Sequence, residues 1–86
     1  MFIMADNHHT PWTVTLTIDA RGLACPLPVL RLRKALNAQA SGAVVELLAT
    51  DRAAVRDVPV FCAGHGHQLL AAHQDKNSLR FVVRRA

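Results

Sequence analysis

The sequence contains few of the residues that mark several classes of protein. Its two cysteines, Cys25 and Cys62, are too few for a scaffold stapled by disulfides, and tyrosine is absent. One tryptophan and three phenylalanines leave few rings for stacking on unpaired bases. No run approaches the roughly 20 apolar residues of a membrane span. We therefore expect no membrane insertion and no direct binding of nucleic acid as the main task of the protein.

The length and composition favour one compact domain. With 86 residues, 51% hydrophobic and 19% charged, the chain has room for one modest core, and we expect a single domain and not a multidomain enzyme. We expect a chain this short to enclose no deep substrate cavity, so its chemistry should lie on an exposed rim. Ten Lys and Arg residues against six Asp and Glu give a net charge of +4, which favours acidic partners such as a protein, RNA or a small anion.

The first residues of the chain show neither periodicity nor a signal peptide. We predict a flexible arm over residues 1–12 and a single domain over residues 13–86. Because a basic n-region and an apolar core of signal-peptide length are both missing, we expect a cytoplasmic protein. In that reducing compartment both cysteines should start as free thiols.

Hydrophobic periodicity predicts the first three elements. Residues 13–19 alternate apolar and polar side chains, which is typical of a half-buried strand. Residues 26–38 repeat apolar positions at helical spacing. Residues 43–50 form an apolar, β-branched run, which predicts a strand covered largely on both faces.

A second helix is predicted to follow. Asp51 is a suitable N-cap for it, since an aspartate oxygen can accept a hydrogen bond from a free N–H of the first turn. Helical spacing then places Val55, Val58 and Phe61 or Cys62 on its inner face.

The remaining residues predict a hairpin and, with it, the fold class. Residues 67–74 and 79–84 read as strands, joined by turn residues at 75–78. The order is then β-α-β-α-β-β. Two right-handed crossovers place both helices on one face of a four-stranded mixed sheet, which gives an α+β two-layer sandwich with an antiparallel last strand.

This arrangement separates the two cysteines. Both helices start at the same edge of the sheet, so Cys25 lies at that edge while Cys62 lies near the far end of the second helix. At about 1.5 Å of rise per residue, the helix holds the two Cα atoms well beyond the roughly 7 Å limit for a disulfide. We expect Cys25 and Cys62 to remain unpaired.

The Cys25-Pro26-Leu27-Pro28 segment is the candidate functional site, with Cys25 as its reactive residue. It places Cys25 at the N-cap or just before it, with Pro26 at the first helical position and Pro28 in the first turn, where missing donors cost little. The positive end of the helix favours a thiolate or a persulfide, although the dipole alone lowers a thiol pKa only modestly.

No base that could complete the activation of Cys25 is evident in the sequence. No histidine follows Cys25 closely, and a self-contained Cys-His hydrolase is therefore a poor interpretation. The pattern fits a cysteine that receives a group from the active site of a partner and hands it on. The alternative, that Cys25 is a small capping residue and the prolines only start a helix, remains open at this point.

The residues around this motif resemble the TusA (SirA-like) sulfur-carrier family. The resemblance covers about residues 13 to 85. It rests on LTIDARGLACPLP at residues 16–28, RKAL at 33–36, Asp51, RDVPVFC at 56–62 and FVVR at 81–84.

The resemblance implies a β-α-β-α-β-β protein whose essential cysteine, matched by Cys25, accepts sulfane sulfur as a persulfide. The donor is a protein such as a cysteine desulfurase or a rhodanese, and the acceptor is a second protein. One route ends in 2-thiouridine in tRNA, while others serve sulfur oxidation, thiosulfate use or molybdenum-cofactor supply. The resemblance specifies the carrier and not the pathway. We expect no cofactor and a monomer when the protein is free.

The family pattern also suggests docking residues. Leu27 stands where the tRNA-thiolation members often have an acidic residue, and it would place an apolar side chain beside the sulfur. Arg33 matches a basic family position, and with Lys34 it could meet an acidic partner or simply face solvent. Asp51 matches a family aspartate near the cysteine edge, where it could serve docking or only cap the helix.

Two further hypotheses complete the predictions. Cys62, His65 and His67 are three possible zinc ligands, but a structural site wants four, and we expect no metal. The rival to a sulfur carrier is a non-catalytic interaction module that docks RNA or an acidic regulator through its basic surface.

Overall fold

The computed structural model describes residues 12–86. Four strands and two helices follow one another in the predicted order. Residues 1–11, which make up nearly all of the predicted arm, lie outside the described residues. The elements are β1 (Leu16–Ala20), α1 (Leu27–Asn37), β2 (Val44–Ala49), α2 (Ala54–His65), β3 (Gln68–Gln74) and β4 (Leu79–Arg84).

The strands form one mixed sheet in the order β1-β2-β4-β3. β1 and β2 are parallel, with Leu16 opposite Val45 and Ala20 opposite Ala49. β4 is antiparallel to both of its neighbours, β2 and β3. The last strand therefore runs against the other three. The predicted α+β class, with a four-stranded mixed sheet and two helices, is confirmed.

One hydrophobic core joins the helices to the sheet. Leu32 and Leu36 of α1 and Val58 of α2 are fully buried in it. Because successive side chains of a strand point to opposite faces, alternate residues of β2 and β4 reach this core. The sheet residues in the core include Ala20, Val45, Leu47, Ala49, Leu79, Phe81 and Val83.

The first strand begins later than the sequence predicts. The alternation from residue 13 suggested a strand over 13–19, but β1 spans Leu16–Ala20. Within the described residues β1 pairs with β2 alone, and β2 begins at Val44. The start of β2 therefore limits where the hydrogen-bonded part of β1 can begin. Leu16 is 37% exposed, since it lies at the start of an edge strand.

The inner face of α2 differs from the prediction at one position. Val58, Phe61 and Cys62 are buried as predicted, but the assignment of Val55 is wrong, because it is 47% exposed. The helix begins at Ala54, which is buried four residues before Val58 and takes the core position of the first turn.

Neither of the two helices described over residues 12–86 has the length and apolar character that crossing a lipid bilayer requires.

Candidate functional site

The loop between β1 and α1 is held against the end of β2. Gly22 has a φ of 84°, a left-handed conformation that suits glycine because it lacks a Cβ. In this conformation its N–H donates a hydrogen bond to Thr50 Oγ1 at 2.9 Å. The N–H of Leu23 donates to the carbonyl of Ala20 at 3.2 Å. These bonds direct the chain toward Cys25 at the carboxyl edge of β1 and β2.

The helix start differs by one residue from the sequence prediction. α1 begins at Leu27, so Pro26 is the N-cap residue and not the first helical residue. The φ and ψ of Pro26 are −99° and 15°, which lie outside the helical region, while its carbonyl accepts a bond from Leu30 N–H at 3.1 Å. Pro28 lies in the first turn, as predicted, and is buried. Cys25 therefore lies directly before the N-cap and is exposed.

Asp51 does not cap α2, and that prediction is wrong. The N-cap of α2 is Ala53, with no side-chain cap. Asp51 precedes it by two residues, so its Oδ1 instead accepts from the N–H of Ala53 at 3.1 Å in a local turn. Its Oδ2 accepts a hydrogen bond from the backbone N–H of Cys25. The N–H groups of Ala53 and Cys25 together hold the pKa of Asp51 below its usual value.

The sequence prediction missed Asp57. Its Oδ2 lies 3.3 Å from Cys25 Sγ, within the range of a thiol hydrogen bond. Oδ1 of the same carboxylate accepts from Arg56 at 3.3 Å. Because both helices start at the same edge, an acidic residue in the first turn of α2 was the signal that could have found this contact.

The expected modest activation of Cys25 is also wrong. The hydrogen bond to Asp57 raises the pKa of the Cys25 thiol, and desolvation and the charges of Asp57 and Asp51 act in the same direction. Arg56 opposes them, but its effect is the smallest. A helix end corresponds to roughly half a positive charge, whereas each carboxylate carries a full negative one. The thiol form is therefore favoured.

The site is a shallow crevice and not an enclosed pocket. It is too small to enclose a substrate, so any group that reacts with Cys25 must approach from outside. Leu27 beside it is 45% exposed. The lining residues are Cys25, Pro26, Pro28, Val29, Asp51, Ala54 and Asp57.

Comparison with known proteins identifies the family. Residues 16–85 match the model of the family described as Sulfurtransferase TusA. The chain belongs to the TusA family. It is 38% identical over 69 residues to the sulfur carrier protein TusA of Allochromatium vinosum, across 80% of this chain and 91% of that protein. The sulfur carrier protein TusA of Pseudomonas entomophila is 39% identical over 69 residues, across 80% and 86% of the two chains.

A solved structure supports the same assignment. The crystal structure of a SirA-like protein from Desulfitobacterium hafniense superposes with a TM-score of 0.71 at 30% sequence identity. The match covers 80% of this chain and 95% of that one. Membership of the TusA family of sulfur carriers implies interaction with proteins that donate and accept sulfur.

The two basic residues of this TusA-family chain that were suggested for docking lie away from the crevice. Arg33 and Lys34 are exposed on α1. At about 1.5 Å of rise per residue they lie roughly 9–11 Å along the helix from its first residue, Leu27. The structure therefore brings Asp51 and Asp57 to Cys25, but not Arg33 or Lys34.

Cys62 differs from Cys25 in its exposure to solvent. It is 2% exposed and belongs to the core, and burial raises the pKa of its thiol. Both cysteines are free, which confirms that they do not pair. The neighbouring histidines are engaged elsewhere: His65 Nδ1 lies 3.1 Å from the carbonyl of Phe61, and His67 Nδ1 accepts from Ala86 N–H at 2.9 Å. Over residues 12–86 no group of three potential ligands is arranged to hold a metal ion.

Proposed function

We propose that this protein carries sulfane sulfur as a persulfide on Cys25, between a donor such as a cysteine desulfurase or a rhodanese and an acceptor protein. The observation that carries the proposal is the contrast between the two cysteines of a TusA-family chain. Cys25 is exposed in the crevice, whereas Cys62 is buried in the core. An exposed thiol can enter the active site of a partner, and a buried one cannot without unfolding.

The transfer needs only a thiolate and a persulfide. The Cys25 thiolate attacks the terminal sulfur of a protonated donor persulfide, and a new S–S bond forms at Sγ. The S–S bond of the donor breaks, and its electron pair leaves on the donor thiolate. The proton stays on the transferred sulfur. Atoms and electrons balance without an oxidant, and delivery to the acceptor is the same exchange in the opposite role.

The shape of the site fits a relay between proteins. A crevice too shallow to enclose a substrate leaves both the donor and the acceptor to supply the walls of the reaction site. Pro26 and Pro28 fix the backbone on the helix side of Cys25, since the ring of proline restricts φ. We place the relay in the cytoplasm, as a monomer that serves tRNA 2-thiouridine formation or another sulfur-trafficking route.

Intact mass tests the proposal. The reduced protein is incubated either with a cysteine desulfurase and L-cysteine or with a rhodanese and thiosulfate. Loading should add about 32 Da, one sulfur atom, and remain sensitive to reductant. Peptide mapping should place the sulfur on Cys25. Cys25→Ser should abolish the gain, and Cys62→Ala should retain it.

The opposite results are equally clear. No mass gain with either donor would favour the non-catalytic module that docks RNA or an acidic regulator. Sulfur found on Cys62, or retained after Cys25→Ser, would overturn the assignment of the carrier residue.

A further inference from the structure

The ionised groups that contact Cys25 are negative, although the net charge of the chain is positive. The protein as a whole carries +4, yet the two ionised side chains that hydrogen-bond Cys25 are both carboxylates. Asp51 binds its backbone N–H, and Asp57 lies 3.3 Å from its sulfur. A thiolate formed here would face a full negative charge in direct contact.

The nearby cation does not cancel this effect. Arg56 contacts the far oxygen of Asp57, Oδ1, and not the sulfur. Its side chain is 79% exposed, whereas that of Asp57 is only 25% exposed. Water therefore screens the guanidinium more than it screens the carboxylate that touches Sγ.

An exposed cysteine in a carrier has two opposing requirements. It must react with the intended donor, but it must not be consumed by other electrophiles, and the thiolate is the reactive form toward both. A neighbouring carboxylate protects the cysteine from other electrophiles, because its negative charge disfavours the thiolate as long as no cation is paired with it. A cation brought by the donor would compensate it only within the complex.

On the basis of the sulfur-carrier role proposed above, we propose that Asp57 is a specificity-determining residue. In the free carrier it keeps Cys25 as a thiol. In the complex, a cationic group of the sulfur donor pairs with the Asp57 carboxylate. The pairing removes the repulsion at Sγ, and Cys25 releases its proton to solvent. The resulting thiolate attacks the donor persulfide as described. Asp57 acts through Cys25 and takes no part in bond formation.

Two small reagents of similar size and opposite charge test this inference without a sulfur donor. Cationic trimethylammonioethyl methanethiosulfonate and anionic sulfonatoethyl methanethiosulfonate both react with thiolates. The Cys62→Ala background restricts the reaction to Cys25. The protein should prefer the cation over the anion more strongly than 2-mercaptoethanol does, despite the net positive charge of the protein, and added salt should reduce this excess preference.

Asp57→Asn should change these rates in a defined way. The cation-to-anion rate ratio should fall toward the ratio that the same two reagents give with the small neutral thiol 2-mercaptoethanol, and neutral iodoacetamide should react faster at neutral pH. The midpoint of the pH profile of iodoacetamide alkylation should move to lower pH, with about tenfold more thiolate for each pH unit of the shift.

Two further variants complete the test. Arg56→Gln removes the cation that pairs with Asp57, so it should raise the midpoint and slow alkylation. Asp75→Asn, in the β3–β4 turn, is the control of equal charge change and should leave the rates unchanged.

Circular dichroism of each variant verifies that it is folded. An unchanged midpoint and an unchanged ratio in a folded Asp57→Asn would overturn the proposal, as would a wild-type cation-to-anion ratio no higher than that of 2-mercaptoethanol. The alkylation test contains no sulfur donor, so its result is independent of the loading experiment. The role of Asp57 can therefore be refuted while the sulfur-carrier role stands, and the sulfur-carrier role can be refuted while the effect of Asp57 stands.

Discussion

The backbone N–H of Cys25 donates a hydrogen bond to the side chain of Asp51, 26 residues later in the chain. The other oxygen of that carboxylate binds the N–H of Ala53, at the entrance to α2. Asp51 thus ties the cysteine loop to the helix that carries Asp57. On the same helix, Asp57 Oδ2 lies 3.3 Å from Cys25 Sγ.

Acid should release this connection. The hydrogen bonds hold the pKa of Asp51 below its usual value, so its contribution is fully present above the pKa of an unfolded aspartate. It is lost as the pH falls through the lower, folded-state pKa. In an NMR titration, the amide proton of Cys25 should shift with a midpoint below that of an ordinary aspartate.

Asp51→Asn is the matched control for this titration. It retains an oxygen acceptor but cannot ionise, so the acid-dependent shift of the Cys25 amide should disappear. A shift that persists in Asp51→Asn would show that a group other than Asp51 titrates and would contradict the prediction.

Cys62→Ala should destabilise the protein without impairing its sulfur loading. The Cys62 side chain is a small buried hydrophobe on the inner face of α2, and its truncation should cost about 1 kcal/mol. For a chain of this size that corresponds to a fall in melting temperature of about 4–8 °C. Unchanged melting together with lost loading would show that the roles of the two cysteines are reversed.

Reversing the charges of Arg33 and Lys34 should weaken docking of the sulfur donor and leave the reactivity of Cys25 unchanged. Both side chains are exposed and lie outside the crevice. Arg33→Glu/Lys34→Glu should slow sulfur transfer from a cysteine desulfurase by roughly tenfold at low salt, with a smaller effect at high salt. Its alkylation rate should match that of the wild type.

A second double variant controls for net charge. Lys76→Glu/Arg84→Glu changes the charge of the chain by the same amount at positions away from α1. It should transfer sulfur nearly as fast as the wild type. Equal slowing by both variants would indicate a general charge effect, and slower alkylation of the Arg33/Lys34 variant would indicate damage to the site itself.

Local patterns predicted most of the fold. The boundaries of β4 and the order of all six elements follow from period-two alternation, helical spacing and turn residues, which act over a few neighbours in the chain. The errors lie at the ends of elements. The start of β1 depends on where its partner β2 begins, and Val55 depends on which turn of α2 meets the core.

The sequence by itself determined that Cys25 lies at the start of a helix and that Cys62 lies on an apolar face, because both follow from the spacing of neighbouring residues. Only the tertiary structure decided the chemical environment of Cys25. Asp57 is 32 residues away in the chain and reaches Sγ because two parallel crossovers bring both helix starts to one edge of the sheet. Electrostatic interaction depends on distance in space, so a carboxylate at 3.3 Å reverses the effect that the helix end alone would have on the thiol pKa.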